Sequence, residues 1–151
     1  FFFFFMKTIG QIAELFNLPI STLRYYDKEG LFPNLQRKAG IRHFGEPEIE
    51  ALRVIECLKK SGMEIKDIKR FMEWCKLGSQ TYPQRKALFD QQEIAVKTEI
   101  DRLEQALAMI KFKQWYYEQA LRDGHEERLA TVIPQDLPAE IKSYYALSHP
   151  E

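Results

Sequence analysis

A hydroxyl, a guanidinium, a phenol and an ammonium stand at Ser21, Arg24, Tyr25 and Lys28, inside the stretch STLRYYDKEG. Steps of three and four residues bring these positions onto one face of a helix. Together they can hydrogen-bond and neutralise phosphates, and a helix fits the major groove of duplex DNA. Ile20, Leu23 and Tyr26 fall on the opposite side, so the adjacent tyrosines are expected to differ: Tyr26 packs and Tyr25 faces outward. A merely solvated amphipathic helix would show the same four residues. What separates the two readings is the next segment, LFPNLQRKAGIRHFG, where Arg37, Lys38 and Arg42 surround Gly40. A charged hairpin directly after a helix-turn-helix can reach phosphates beside the groove that the helix enters.

These side chains need elements to position them. Thr8-Ile-Gly-Gln11 fits a capping box ahead of the apolar set Ile9, Ile12, Ala13, Leu15 and Phe16, which predicts a short helix. Asn17-Leu18-Pro19 should stop it, because proline disfavours helical geometry in the residue before it and suits the start of the next helix. That second helix is expected from about Ile20 to Glu29, with Gly30 as its left-handed cap. The hairpin follows, bent at Pro33-Asn34 and at Gly40. A third helix is predicted from near Pro47 to Gly62, with Glu46, Glu48 and Glu50 favourable at its start, and a fourth from about Glu64 to Leu77, stopped by Gly78.

From Pro83 to Arg122 no Gly or Pro interrupts the chain, which predicts one long helix ended by Gly124. A 4-3 repeat from Phe89 runs through Glu93, Val96, Ile100, Leu103, Leu107, Ile110, Gln114, Tyr117 and Leu121, apolar at all but Glu93 and Gln114. A seam of that length wants an equivalent helix from a second copy, so a homodimer is expected. In the tail a short helix can follow Pro138. The domain reading is therefore residues 1–5 as a tag or artefact ahead of Met6, 6–77 as a winged helix-turn-helix domain, 78–82 as a linker, 83–123 as a dimerisation helix and 124–151 as a tail.

Composition agrees with a water-soluble domain: 151 residues, 45% hydrophobic and 29% charged, with no apolar run long enough for a membrane span. The formal net charge is zero, but residues 6–76 carry 13 Lys and Arg against 10 Asp and Glu, whereas 77–151 carry 9 against 12. The front half is the one suited to an anion. With two cysteines and no export signal, free thiols in a reducing cytoplasm are expected. Cys57 has Arg53 four residues before it and Lys60 three after, surroundings that favour a reactive thiolate able to add to an aldehyde or other electrophile. The alternative is a small residue packed beside Val54 and Leu58, as free cysteines commonly are. Cys75 shares a helical face with Ile68 and Met72 and is expected in the core. A thiol enzyme is disfavoured, since it needs a base near the cysteine and the sole histidine of the front segment, His43, falls on the hairpin.

TIGQIAELFNLPISTLRYYDKEGLF, then GIRHFGEPEIEALRVIECLKKSGMEIKDIKRF, then a long helix, resembles the MerR family of bacterial transcription regulators over residues 7 to about 122. CLKKSGM and MIKFKQWYYEQAL are similar to the members that answer aldehydes and related electrophiles. The resemblance implies a mainly α fold: a winged helix-turn-helix DNA-binding domain and a long helix that dimerises as an antiparallel coiled coil. It implies a homodimer on a pseudo-palindromic operator between overspaced promoter elements, distorting double-stranded promoter DNA so that RNA polymerase can use it. Carried onto this chain, the contacts are Ser21, Arg24 and Tyr25 of the recognition helix and Arg37 and Arg42 of the wing. Ile41 stands where many relatives have tyrosine, a departure from the family's pattern at a position of aromatic phosphate contact. Metal-sensing relatives hold their ion with cysteines near the end of the coil. Leu107 to Leu129 has none, and only His125 of the usual soft ligands, so metal sensing is not expected; nor does the resemblance imply a cofactor. A coiled-coil adaptor without DNA binding is the competing class, and it gives the basic hairpin and the Arg24 face no purpose.

Overall fold

The computed structural model describes residues 5–151; of the leading Phe1 to Phe5 run, read as a tag or artefact, the first four lie outside the described residues. The order is β1 (Lys7–Thr8), α1 (Ile9–Phe16), α2 (Ile20–Lys28), β2 (Gln36–Lys38), β3 (Ile41–Phe44), α3 (Glu46–Lys60), α4 (Ile65–Leu77), α5 (Tyr82–Asp123), α6 (Glu127–Val132) and α7 (Ala139–Ser148). The chain divides into two compact units, one ending at Gln92 and the other Glu93–Glu151. Among the described residues no helix is long and apolar enough to cross a membrane.

In the first unit, local chemistry sets each boundary. The Thr8 hydroxyl accepts from the Gln11 amide at 3.3 Å, and the Gln11 side chain accepts from the Thr8 amide at 2.9 Å, the reciprocal pair of a capping box. α1 ends where Asn17 turns left-handed at φ 52°, a conformation asparagine tolerates better than most residues. Pro19 caps α2, and Gly30 at φ 81° releases the chain from it. The hairpin acquires a third strand that the sequence pattern did not announce: β1 pairs with β3, Lys7 opposite Phe44 and Thr8 opposite His43, giving the order β1-β3-β2. The wing is thereby stitched to the residue that starts α1.

One core unites these parts. Ile12 of α1, Leu23 and Tyr26 of α2, Phe44 of β3, Leu52, Ile55 and Leu58 of α3 and Ile68 of α4 are essentially inaccessible to water. Phe32 meets Phe44 edge-to-face with centroids 5.3 Å apart. The corner between α4 and α5 turns at Gly78, φ 83°, and is held by Thr81, whose hydroxyl donates to the Trp74 carbonyl at 2.6 Å and accepts from Arg85 Nε at 2.9 Å. Phe89, in the opening turns of α5, packs edge-to-face on Phe71 at 5.4 Å.

In the second unit α7 lies on α5 through aromatic rings: buried Phe112 meets Tyr145 at 5.2 Å and His149 at 5.9 Å. α6, absent from the sequence expectations, is short and is anchored by fully buried Leu129. The long helix runs 42 residues, and its 4-3 seam stays open to solvent: Phe89, Ile100, Leu103, Leu107, Ile110, Tyr117 and Leu121 are 42–85% exposed.

The tyrosine pair divides as the helical period requires. Tyr26 is 1% exposed and Tyr25 47%. The buried hydroxyl of Tyr26 donates to Glu56 Oε1 at 2.9 Å and accepts from Lys59 Nζ at 2.7 Å, tying α2 to α3. Burial, then the bond to Glu56, raises the Tyr26 pKa above the ordinary phenol value of 10.0, so the phenol keeps its proton. Removing the hydroxyl (Tyr26→Phe) should lower the unfolding free energy by about 1–2 kcal/mol, and removing the ring (Tyr26→Ala) by about 3–5 kcal/mol, both read by urea titration. Since the unfolded phenol loses its proton first, the contribution is whole below pH about 10 and declines above it. That decline should be absent in Tyr26→Phe.

Candidate nucleic-acid interface

Two buried anchors decide what α2 offers to the outside. With Leu23 and Tyr26 in the core, Ser21, Arg24, Tyr25 and Lys28 are all exposed. The four side chains singled out by spacing therefore share one open face. Lys28 in the last turn of α2 fits the macrodipole, which favours a cation at the carboxyl end.

The wing stands next to this face. Its turn, Lys38-Ala39-Gly40-Ile41, has φ 51° at Ala39 and 77° at Gly40. Two left-handed central residues suit the right-handed twist of a tight hairpin, and glycine at 40 adopts that geometry without steric cost. Beyond the turn Ile41 is 53% exposed at the tip. The ladder sets Arg37 directly opposite Arg42. Like charges facing each other across two strands repel.

An aspartate of α2 relieves that repulsion. Asp27 Oδ2 accepts from Arg37 Nη2 at 2.5 Å and from Arg42 Nε at 2.7 Å, with the Asp27 side chain only 11% exposed. Of the three basic wing residues expected to meet DNA, Arg37 and Arg42 thus converge on Asp27 of α2, while Lys38 is exposed beside the turn. Asp27 is the member of this cluster that sequence reasoning missed. Its signal was present, an acid on the recognition helix one segment before a hairpin rich in arginine, but which cation it meets depends on the fold.

Of the two thiols, one departs from expectation. Cys57 is exposed on α3, so it is not the packed residue of the alternative reading. Of its two neighbouring cations, Arg53 lies over the Phe16 ring at 5.8 Å and within 3.8 Å of Glu50, which gives that guanidinium other partners. Cys75 is a correction: it is exposed rather than core, lining a shallow cleft with Phe32, Pro33, Ala51 and Met72. The last turn of α4 runs past the core, as the 57% exposure of Leu77 also shows.

Residues 7–74, which hold α2 and the wing, match the family described as MerR HTH family regulatory protein. An uncharacterized HTH-type transcriptional regulator of Haemophilus influenzae is 40% identical over 129 residues, 85% of this chain and 94% of that protein. The HTH-type transcriptional regulator AdhR of Bacillus subtilis is 35% identical over 79 residues, 52% of this chain and 56% of that one. Among solved structures, HiNmlR, a MerR family regulator lacking the sensor domain and bound to promoter DNA, superposes with a TM-score of 0.73 at 37% identity, covering 82% of this chain and 98% of that one. A MerR family regulator of Bacillus thuringiensis gives a TM-score of 0.67 at 45% identity over 72% of this chain and 96% of its own.

The exposure of both cysteines has a direct consequence for reactivity. In the folded protein, Ellman's reagent should titrate two thiols without a slow phase, and the single variants Cys57→Ser and Cys75→Ser one each. A slow second thiol that requires denaturant would place Cys75 back in the core.

Proposed function

The chain belongs to the MerR family of helix-turn-helix regulators and is a DNA-binding transcription regulator, and from that premise we propose how it engages its promoter. α2 enters a major groove with Ser21, Arg24, Tyr25 and Lys28 toward DNA, while Arg37, Lys38 and Arg42 of the wing meet the flanking phosphates. The observation that carries this reading is the shared exposure of the four α2 side chains, enforced by burial of Leu23 and Tyr26. The DNA-bound state of HiNmlR supports it by likeness of fold.

Two chains act together in this reading, joined through the open seam of α5 as an antiparallel coiled coil. Seven apolar side chains left exposed along one helix favour a second copy, since apolar area of that extent is seldom left to water. Two recognition helices related by a two-fold axis would read a pseudo-palindrome. The dimer would distort the promoter between its elements, acting in the cytoplasm and reaching RNA polymerase through the DNA. Distortion is read as deformation energy of the duplex, without a single residue carrying it. The effector in this reading is an aldehyde or related electrophile, and the exposed Cys57 thiol is its acceptor.

Promoter duplex titrated at several salt concentrations should bind with a steep negative log-log salt slope, each neutralised phosphate adding about −0.9. Arg24→Ala should weaken binding by more than about 1 kcal/mol, roughly fivefold. A coiled-coil adaptor would show neither the binding nor the slope, and unchanged affinity in Arg24→Ala would remove that residue from the interface.

For the effector, transcription from the promoter is compared with and without formaldehyde in wild type and Cys57→Ser. The response should vanish in the variant; an intact response would exclude Cys57 as the acceptor.

A further inference from the structure

We infer that Asp27 is a specificity-determining positioning residue, which holds Arg37 and Arg42 of the wing on the recognition helix and so restricts the wing to duplexes whose backbone matches that fixed arrangement. The inference rests on the DNA-binding reading above and adds to it a residue that touches no DNA in that reading.

The geometry leads there in three steps. First, β2–β3 pairing puts Arg37 opposite Arg42, and two guanidiniums on facing positions repel when nothing stands between them. Second, one carboxylate oxygen of Asp27 takes a hydrogen bond from each, at 2.5 and 2.7 Å, from a side chain that is 11% exposed while Arg42 is 25% exposed and Arg37 54%. Charge-assisted bonds of that length, partly shielded from water, resist exchange with solvent better than surface pairs do. Third, each guanidinium has five N–H donors and gives Asp27 one of them. Both arginines therefore keep donors for phosphate while their positions are set from α2.

The consequence is an electrostatic trade. The triad of Asp27, Arg37 and Arg42 carries one net positive charge instead of two, which weakens sequence-independent attraction for DNA. It also fixes the spacing between wing and recognition helix, which a matching duplex exploits without a further ordering cost. Loss of the carboxylate charge frees two arginines to follow any backbone. Non-specific binding should rise and discrimination should fall, the opposite of what a purely structural residue would do.

The test uses the full chain and the variants Asp27→Asn, which removes the charge, and Asp27→Glu, which keeps it. Without DNA, amide hydrogen exchange in β2 and β3 should be faster in Asp27→Asn than in wild type and partly restored in Asp27→Glu; unchanged exchange would overturn the inference. With DNA, each form is titrated against the promoter duplex next to the gene and against a scrambled duplex of equal length and composition. Asp27→Asn should bind the scrambled duplex severalfold more tightly, with a salt slope steeper by about 0.9 for one added phosphate, and its promoter-to-scrambled ratio should drop at least about threefold, a differential of roughly 0.65 kcal/mol at 25 °C. Asp27→Glu should recover most of that ratio. If Asp27→Asn loses affinity for both duplexes equally, or keeps the wild-type ratio, the residue only stabilises the fold and the inference falls. If wild type itself shows no preference between the duplexes, the DNA-binding reading fails, and the specificity role with it.

Discussion

The burial of Tyr26 is the constraint on which the interface depends. A phenol that is 1% exposed must find partners for its hydroxyl, and it finds two on α3, Glu56 and Lys59. Ring and hydroxyl together hold α2 both inward, in the core it shares with Ile12 of α1, and along its length, against α3. With nine residues, α2 is too short to be stable alone. Its helical state and its orientation are consequences of that packing. Once Tyr26 and Leu23 point inward, the 3.6-residue period leaves Ser21, Arg24, Tyr25 and Lys28 no other place than the open face.

A second constraint is electrostatic, and it joins the wing to the helix. The hairpin ladder forces Arg37 and Arg42 together, and Asp27 makes that juxtaposition tolerable. On the far side of the wing, β1 ties β3 to the start of α1, where Thr8 serves as both strand residue and helix cap. The wing is therefore held twice, by backbone pairing of β3 with β1 and by the Asp27 carboxylate shared between Arg37 and Arg42. Such fixed placement matters for a partner as regular as duplex DNA, because side chains already in position lose less freedom on binding.

Much of this could be read from the chain, and the successes share a cause. Capping at Thr8 and Gln11, the break at Asn17-Leu18-Pro19, the stops at Gly30, Gly78 and Gly124 and the uninterrupted run through α5 all depend on a few adjacent residues. So does the division of Tyr25 from Tyr26, which needs only the helical period. What escaped depends on tertiary partners. β1 is two residues long and exists because β3 lies beside it. α6 lacks a side-chain cap and is held by Leu129. Cys75 lies on the same stripe as Ile68, but the period cannot tell that the last turn of α4 passes beyond the core. Spacing alone sets Arg53 beside Cys57, while Phe16 on another helix and Glu50 one turn away compete for its guanidinium. The Asp27 bridge has the same character, a charge whose partner lies 10 and 15 residues on.

The central claim is that the Tyr25 face of α2 meets DNA because Tyr26 anchors the other face, and site-specific photocrosslinking tests it most directly. Benzoylphenylalanine is placed at Tyr25, on the open face of α2, or at Glu50, exposed on α3, and each protein is irradiated on promoter duplex. Covalent DNA adducts from position 25 and none from position 50 are the predicted result. Adducts from position 50 with none from position 25, in proteins that both bind the duplex, would contradict the account.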